Sequence, residues 1–254
     1  MSDDPRVTEL GEHIARRAAG RGLSVDLARL RYASESLLAP VPRELRESVL
    51  CVGVGHGHDV LLDLLEGRIG RATGVDPFNE ADGNGDEDFA ELRGLIASLG
   101  LADRFEVKRS TVVDFLERDA RRWGLILMSD VLHHIFVTRR PLRRSGEYEE
   151  AVALFRALHG RAAAGGVMVI SDVRRSGLRA RLHRMGILGG EVEYATKQEP
   201  GEWRRAVEEG GWRFARRDWY VPWALRGAAR IVPWAVRPAC DRYRLYFTVE
   251  NGPR

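Results

Sequence analysis

Cysteine is nearly absent from the 254 residues: only Cys51 and Cys240 occur. Two cysteines make no disulfide framework, and they lack the paired spacing of a zinc site. Both are expected to be reduced packing residues. Lysine is as scarce, since Lys108 and Lys197 are the only lysines among 40 basic residues. The net charge of +3 is therefore an arginine excess, read here as composition and not as a phosphate-binding device. No run of 18 uncharged apolar residues is present, which argues against a transmembrane helix. The opening MSDDPRVTELGEHIARR is acidic and then amphipathic, unlike a secretory signal, so the cytoplasm is the expected location. Repeats and low-complexity tracts are also missing.

What remains is an ordinary globular composition, 44% apolar and 30% charged, with 27 Gly against 10 Pro. Its charge is unevenly spread. Residues 173–254 hold 17 basic against 9 acidic side chains, whereas residues 1–172 carry a net negative charge. The two parts are expected to meet different partners. Apolar residues at helical spacing predict helices over 7–19 and 25–38, the second stopped by APVP at 39–42. Residues 1–44 thus read as an N-terminal helical arm or lid.

From residue 45 onward short apolar runs alternate with amphipathic segments. Strands are predicted at 49–54, 72–77, 104–109, 123–130 and 165–172, with helices at 58–65, 87–99, 112–121 and 147–163. That alternation implies an α/β fold with a doubly wound parallel sheet. Beyond Asp172 come helical segments at 174–188 and 200–209, then late strands at 212–220 and 243–250. The stretch 221–240 is apolar but broken by arginines and prolines, so it reads as cap or rim and not as a spanning helix.

Three local patterns carry chemistry. Val49-Leu-Cys-Val-Gly53-Val54-Gly55-His-Gly57-His-Asp59 is a strand running through alternate glycines into a helix, where the backbone turns sharply and a ligand meets no β-carbon. The spacing is G-x-G-x-G and not the dinucleotide G-x-G-x-x-G, which speaks against a dehydrogenase. Gly74-Val-Asp76-Pro77 then ends the next strand with a carboxylate suited to the two hydroxyls of a ribose. Last, Trp123-Gly-Leu-Ile-Leu-Met-Ser129-Asp130-Val-Leu-His133-His134 closes a buried strand with polar residues.

Together these segments resemble the class I S-adenosylmethionine-dependent methyltransferases, in the right order across residues 45–172. The resemblance implies a Rossmann-like sheet of seven strands with an antiparallel last strand. It divides residues 45–254 into a cofactor-binding core, 45–172, and substrate-cap elements with the final strands, 173–254. It further implies S-adenosylmethionine as cofactor and S-adenosylhomocysteine as product. Gly53, Val54, Gly55 and Gly57 would border the methionine portion, Asp76 with Pro77 would hold the ribose, and Ser129 and Asp130 would lie beside the cofactor. Where many members carry an acidic residue for the adenine amino group, this chain has Ser110-Thr111, with Asp114 as a possible substitute.

Methyl transfer to a hydroxyl benefits from a base, and His133, His134 and Asp172 follow the fourth and fifth predicted strands. His134 supported by Asp172 is the favoured pair, with His133 organising the loop. Tyr194 and Trp203, together with the aromatic-rich C-terminal region, are candidates for contacting the acceptor, although core packing explains such residues equally well. Asp82-Gly-Asn84-Gly-Asp86 mimics the start of a calcium loop but lacks its later ligands, so no metal is expected. His56 and His58 read as spacers, and Arg139, Arg140, Arg143 and Arg144 as a solvated surface or a greeting for an anionic substrate. The expected function is a small-molecule methyltransferase, favoured as an O-methyltransferase of secondary metabolism. A nucleic-acid methyltransferase using the basic C-terminal region, or a non-catalytic S-adenosylmethionine-binding protein, are the alternatives. Peripheral membrane contact and the oligomeric state stay open.

Overall fold

A computed structural model describes residues 4–20, 26–79, 84–187, 194–227 and 240–250. The beginning of the calcium-loop mimic at Asp82 and most of the 221–240 stretch, Trp234 included, lie outside these residues. The strands form one seven-stranded sheet in the order β3 (Phe105–Arg109), β2 (Arg71–Asp76), β1 (Ser48–Val52), β4 (Trp123–Ser129), β5 (Ala162–Val173), β7 (Arg242–Thr248), β6 (Arg213–Trp219). Among the described residues no helix is long and apolar enough to cross a membrane. Two compact units divide the chain at Ile126/Leu127.

In the first unit, α1 (Pro5–Gly20) buries Val7, Leu10, Ile14 and Ala18, the i, i+3, i+4 stripe that defines one helix face. α2 (Leu27–Leu38) is capped by Asp26, whose carboxylate accepts the Arg29 N–H at 2.7 Å. Then follow β1 (Ser48–Val52), α3 (His58–Leu65), β2 (Arg71–Asp76), α4 (Asp86–Ser98), β3 (Phe105–Arg109) and α5 (Val112–Arg118). β1 pairs with β2 and β2 with β3, all parallel. β1 and β2 are buried almost throughout, as expected for strands covered on both faces, whereas β3 at the sheet's edge exposes Glu106, Lys108 and Arg109 in part or fully. β4 (Trp123–Ser129) runs across the boundary between the units.

The second unit continues with α6 (Leu132–Ile135), α7 (Tyr148–Gly160), β5 (Ala162–Val173), α8 (Leu178–Arg184), α9 (Pro200–Glu209), β6 (Arg213–Trp219) and β7 (Arg242–Thr248). β7 pairs antiparallel with both β5 and β6, so the expected antiparallel last strand and final strand pair are present. β5 starts three residues earlier than predicted, because Ala162–Gly165 extend the strand where the helical pattern of α7 had suggested another turn. α9 has Pro200 at its first position and turns Trp203, Ala206 and Val207 inward. Trp212 is also interior, its indole N–H donating to the Phe155 carbonyl at 2.8 Å. β6 is the other edge strand; it exposes Arg213, Arg216 and Arg217 and carries an irregularity between Phe214 and Arg216.

Candidate active site

The first unit holds the glycine turn. Gly53, Gly55 and Gly57 all have positive φ, at 71°, 49° and 64°. A β-carbon is strained at such angles, so the alternating glycines are a conformational requirement. At Gly57 space is lacking as well: a β-carbon there would stand 2.9 Å from the Leu92 side chain. Gly57 also precedes α3 directly, and its N–H closes the turn onto the Val54 carbonyl at 2.9 Å. A second tie is supplied by the Gly53 N–H, which donates to the Val75 carbonyl at 2.8 Å.

Asp76, at the end of β2, is buried and works on the backbone with both oxygens. One accepts the Gly55 N–H at 3.0 Å, the other the Phe78 N–H at 2.8 Å. Its own carbonyl accepts the Ser110 N–H at 3.1 Å. A carboxylate offers about four lone-pair directions, so each oxygen retains capacity for a ribose hydroxyl. A turn open to close backbone approach, beside a fixed carboxylate, fits the nucleoside and amino-acid portions of S-adenosylmethionine. Val54 is buried over Gly74, where a β-carbon would meet it at 3.0 Å, and Pro77 is half-buried.

Thr111 caps α5: its hydroxyl accepts the Asp114 N–H at 3.2 Å and donates to the Asp114 carboxylate at 2.6 Å. Two of the three residues considered for adenine, Thr111 and Asp114, are thus engaged with each other. Around the turn, α1 packs on α3, and Arg17 of α1 forks onto Asp88 and Glu91 of α4 while lying 3.3 Å from His56. His58 meets His13 edge to face at 5.4 Å. Burial, with smaller contributions from His56, His13 and Arg17, pushes His58 down to about 3. His58 is therefore a neutral packing residue. Among the described residues no group of three or more His, Cys, Asp or Glu side chains is arranged to hold a metal ion.

The second unit contains the titratable cluster. After β4 the chain passes through Asp130 at φ 52°, with its N–H donating to the Ser171 carbonyl at 2.8 Å and its carboxylate paired with Arg242 of β7. Ser129 is half-buried at the strand end. The following turn of helix, α6, presents His133, whose Nδ1 lies 3.7 Å from the Asp172 carboxylate on β5. Lys197 completes the group. Its Nζ stands 2.6 Å from His133 Nε2, 2.9 Å from Nδ1 and 3.5 Å from Asp172 Oδ1. Asp172 is 1% exposed and Lys197 7% exposed, so the pair is removed from water. Burial alone would raise Asp172; the His133 ring 3.7 Å away, the charge of Lys197 and the Val173 N–H, which donates to Oδ1 at 2.7 Å, hold it below the ordinary carboxylate range.

The segment that delivers Lys197 is clamped by its neighbour. Gln198 accepts the Leu142 N–H at 3.0 Å, donates to the Arg140 carbonyl at 3.0 Å, and its backbone carbonyl accepts the Tyr243 hydroxyl at 3.3 Å.

Two expectations are corrected here. Asp172 partners His133 and not His134, because the single turn of α6 directs His133 inward and leaves His134 exposed. Trp203 does not line an acceptor surface: it is fully buried between Phe136 and Phe155, since α9 places it on the apolar face with Ala206 and Val207. Tyr194 is half-buried beside His183. Lys197 went unremarked as a site residue. Its one sequence signal was rarity, a lysine kept in a chain that otherwise uses arginine.

A sequence profile described as a methyltransferase domain matches residues 25–226. No curated protein matches the chain significantly in sequence. Among solved structures, a segment described as StiE O-MT residues 961–1257 is similar at a TM-score of 0.56 and 14% identity, covering 95% of this chain and 81% of that one. The cyclopropane synthase MmaA2 from Mycobacterium tuberculosis is similar at a TM-score of 0.56 and 11% identity, over 85% and 83% of the two chains. A structure described by the conversion of a disulfide bond into a thioacetal group during echinomycin biosynthesis gives 0.55 and 18%, over 88% and 82%. At these identities the likeness speaks for the fold, and the three reactions named differ. The profile covers most of the chain, and the strand order, glycine turn and Asp76 agree with it: the chain belongs to the methyltransferase-domain family and is a class I S-adenosylmethionine-dependent methyltransferase.

Proposed function

We propose that the chain methylates a hydroxyl of a small hydrophobic molecule, aromatic or polyketide-like, in secondary metabolism. The observation that carries this reading is the His133–Lys197–Asp172 group, which is suited to take the proton that a hydroxyl acceptor must lose. Gly53, Gly55, Gly57 and Asp76 would hold S-adenosylmethionine, which supplies a methyl group on an electrophilic sulfonium. A ring nitrogen of His133 would take the proton that the acceptor hydroxyl loses on gaining the methyl group. Asp172 then faces an imidazolium at its Nδ1 side and stabilises it. Alignment of the reacting atoms supplies the rest of the rate. The solved O-MT segment of StiE and the echinomycin-related structure support an acceptor from natural-product chemistry.

Residues 173–254 are proposed to shape the acceptor pocket, with Tyr194 retained as a contact and the N-terminal 1–44 as a lid. Incubation of the purified chain with methyl-labelled S-adenosylmethionine and metabolite fractions tests the reading. Label in an O-methyl ether of an apolar compound is expected. Label in RNA or DNA, with binding that weakens steeply as salt rises, would replace it by the nucleic-acid reading.

A further inference from the structure

His133 sits between two opposite charges. Asp172 approaches its Nδ1 side, and Lys197 Nζ lies within hydrogen-bond distance of either ring nitrogen. Left alone with His133, a carboxylate buried to this degree would draw a proton onto the imidazole and form an ion pair, since a buried charge must be compensated. An imidazole already protonated accepts nothing further. Lys197 supplies that compensating cation itself, 3.5 Å from Asp172 Oδ1. An ammonium donates only, so the ring nitrogen receiving it must present a lone pair.

We propose that Lys197 is a positioning residue that neutralises Asp172 in place of a proton, keeping His133 an uncharged imidazole and making His133, not His134, the group that accepts the hydroxyl proton. A compact ammonium on a flexible stem suits this role. Its three donors reach Asp172 and the ring together, and it can release one ring nitrogen to an incoming hydroxyl while remaining beside the carboxylate. The fixed backbone at Gln198 keeps the ammonium at this depth. Among the described residues the other groups that bear on His133 are few. His134, on the same helix turn, has its ring centroid 4.1 Å away. Arg242 and Tyr243 of β7 act at one remove, through Asp172. The role in methyl transfer rests on the hydroxyl acceptor proposed above; the charge state of His133 does not.

The test separates these two layers. The His133 imidazole is titrated by NMR in isotopically labelled protein without acceptor, for the wild type, Lys197→Met and Asp172→Asn. In the wild type the His133 imidazole is expected to be neutral at pH 7. Lys197→Met should raise the midpoint by about one pH unit or more, a tenfold change in the protonation equilibrium. Asp172→Asn, which keeps the cation and removes the anion, should lower it, and serves if Lys197→Met does not fold. A midpoint unchanged by Lys197→Met, unmoved or raised by Asp172→Asn, or already imidazolium at pH 7 in the wild type, overturns the proposal. Once an acceptor is found, the acid limb of kcat against pH should move up with the midpoint in Lys197→Met, and His134→Ala should leave it in place. A midpoint that shifts as expected while no acceptor gains an O-methyl group would overturn the hydroxyl reading and keep the charge device.

Discussion

The glycine turn in the first unit and the His133 group in the second are made of different materials. The turn is backbone: three positive-φ glycines, closed by main-chain hydrogen bonds and fixed by one carboxylate that accepts two N–H groups. One of its two histidines, His58, is uncharged over the whole neutral range. The cluster is side chain: Asp130, His133, Asp172, Lys197 and Arg242 come from the residue after β4, from α6, from β5, from the segment before α9 and from β7, and they are joined as charged neighbours. Shape is what fails first when the turn is altered, and proton occupancy is what fails first in the cluster. Binding and proton handling should therefore respond to different variants and to pH differently.

Removing the proton acceptor is expected to have the largest effect. His133→Ala should slow single-turnover methylation by about 10²–10⁴ while cofactor affinity by calorimetry stays nearly constant, and His134→Ala should stay close to the wild type. Should His134→Ala be the slow variant, the exposed neighbour would be the base and the comparison would lose its second half. Gly57→Val should come next. A branched side chain at φ 64° against Leu92 costs about 2–5 kcal/mol from the backbone angle and the crowding together, seen as lower thermal stability and weakened cofactor binding.

Asp76→Ala should weaken S-adenosylmethionine binding by roughly 1.5–3 kcal/mol and also loosen the turn, because Gly55 and Phe78 lose their acceptor. Binding lost without any loss of stability would show that Asp76 serves the ligand alone. At neutral pH the smallest effect belongs to His58. Its folded midpoint, about 3, lies below the unfolded value near 6.5, so the unfolded chain binds the extra proton between them. Stability tied to neutral His58 is full above pH 6.5 and falls as pH drops towards 3, at about 1.4 kcal/mol per pH unit for one proton. Denaturant unfolding of His58→Phe at pH 4–7 should show that slope reduced relative to the wild type.

The sheet and the turn were legible because both are written locally. VLCVGVGHG and GVDP each hold a strand and its bend in fewer than ten residues, and glycine at a positive φ announces itself by residue type. The cluster was legible only in part. His133, His134 and Asp172 were found by their place at or beyond strand ends, yet which histidine turns inward depends on the phase of a four-residue helix that no periodicity can fix. Lys197 is 64 residues from His133 and held by Gln198 contacts to the Arg140 region, information that arises only when the chain is packed. Trp203 misled for a related reason: an aromatic side chain is equally at home in a core and at a ligand, and the apolar face of α9 decided for the core.

The two outermost strands of the sheet carry one more consequence. An edge strand offers unpaired amide and carbonyl groups to any extended segment that drifts against it. β6 answers with Arg213, Arg216 and Arg217 along an irregular ladder, and β3 with Glu106, Lys108 and Arg109. A strand arriving at either side would have to strip water from these charges, and at β6 it would also meet a register that does not run straight. The arginine surplus that looked like a footprint for an acidic partner thus has a quieter use at the rim, keeping crowded copies of the protein from knitting their sheets together.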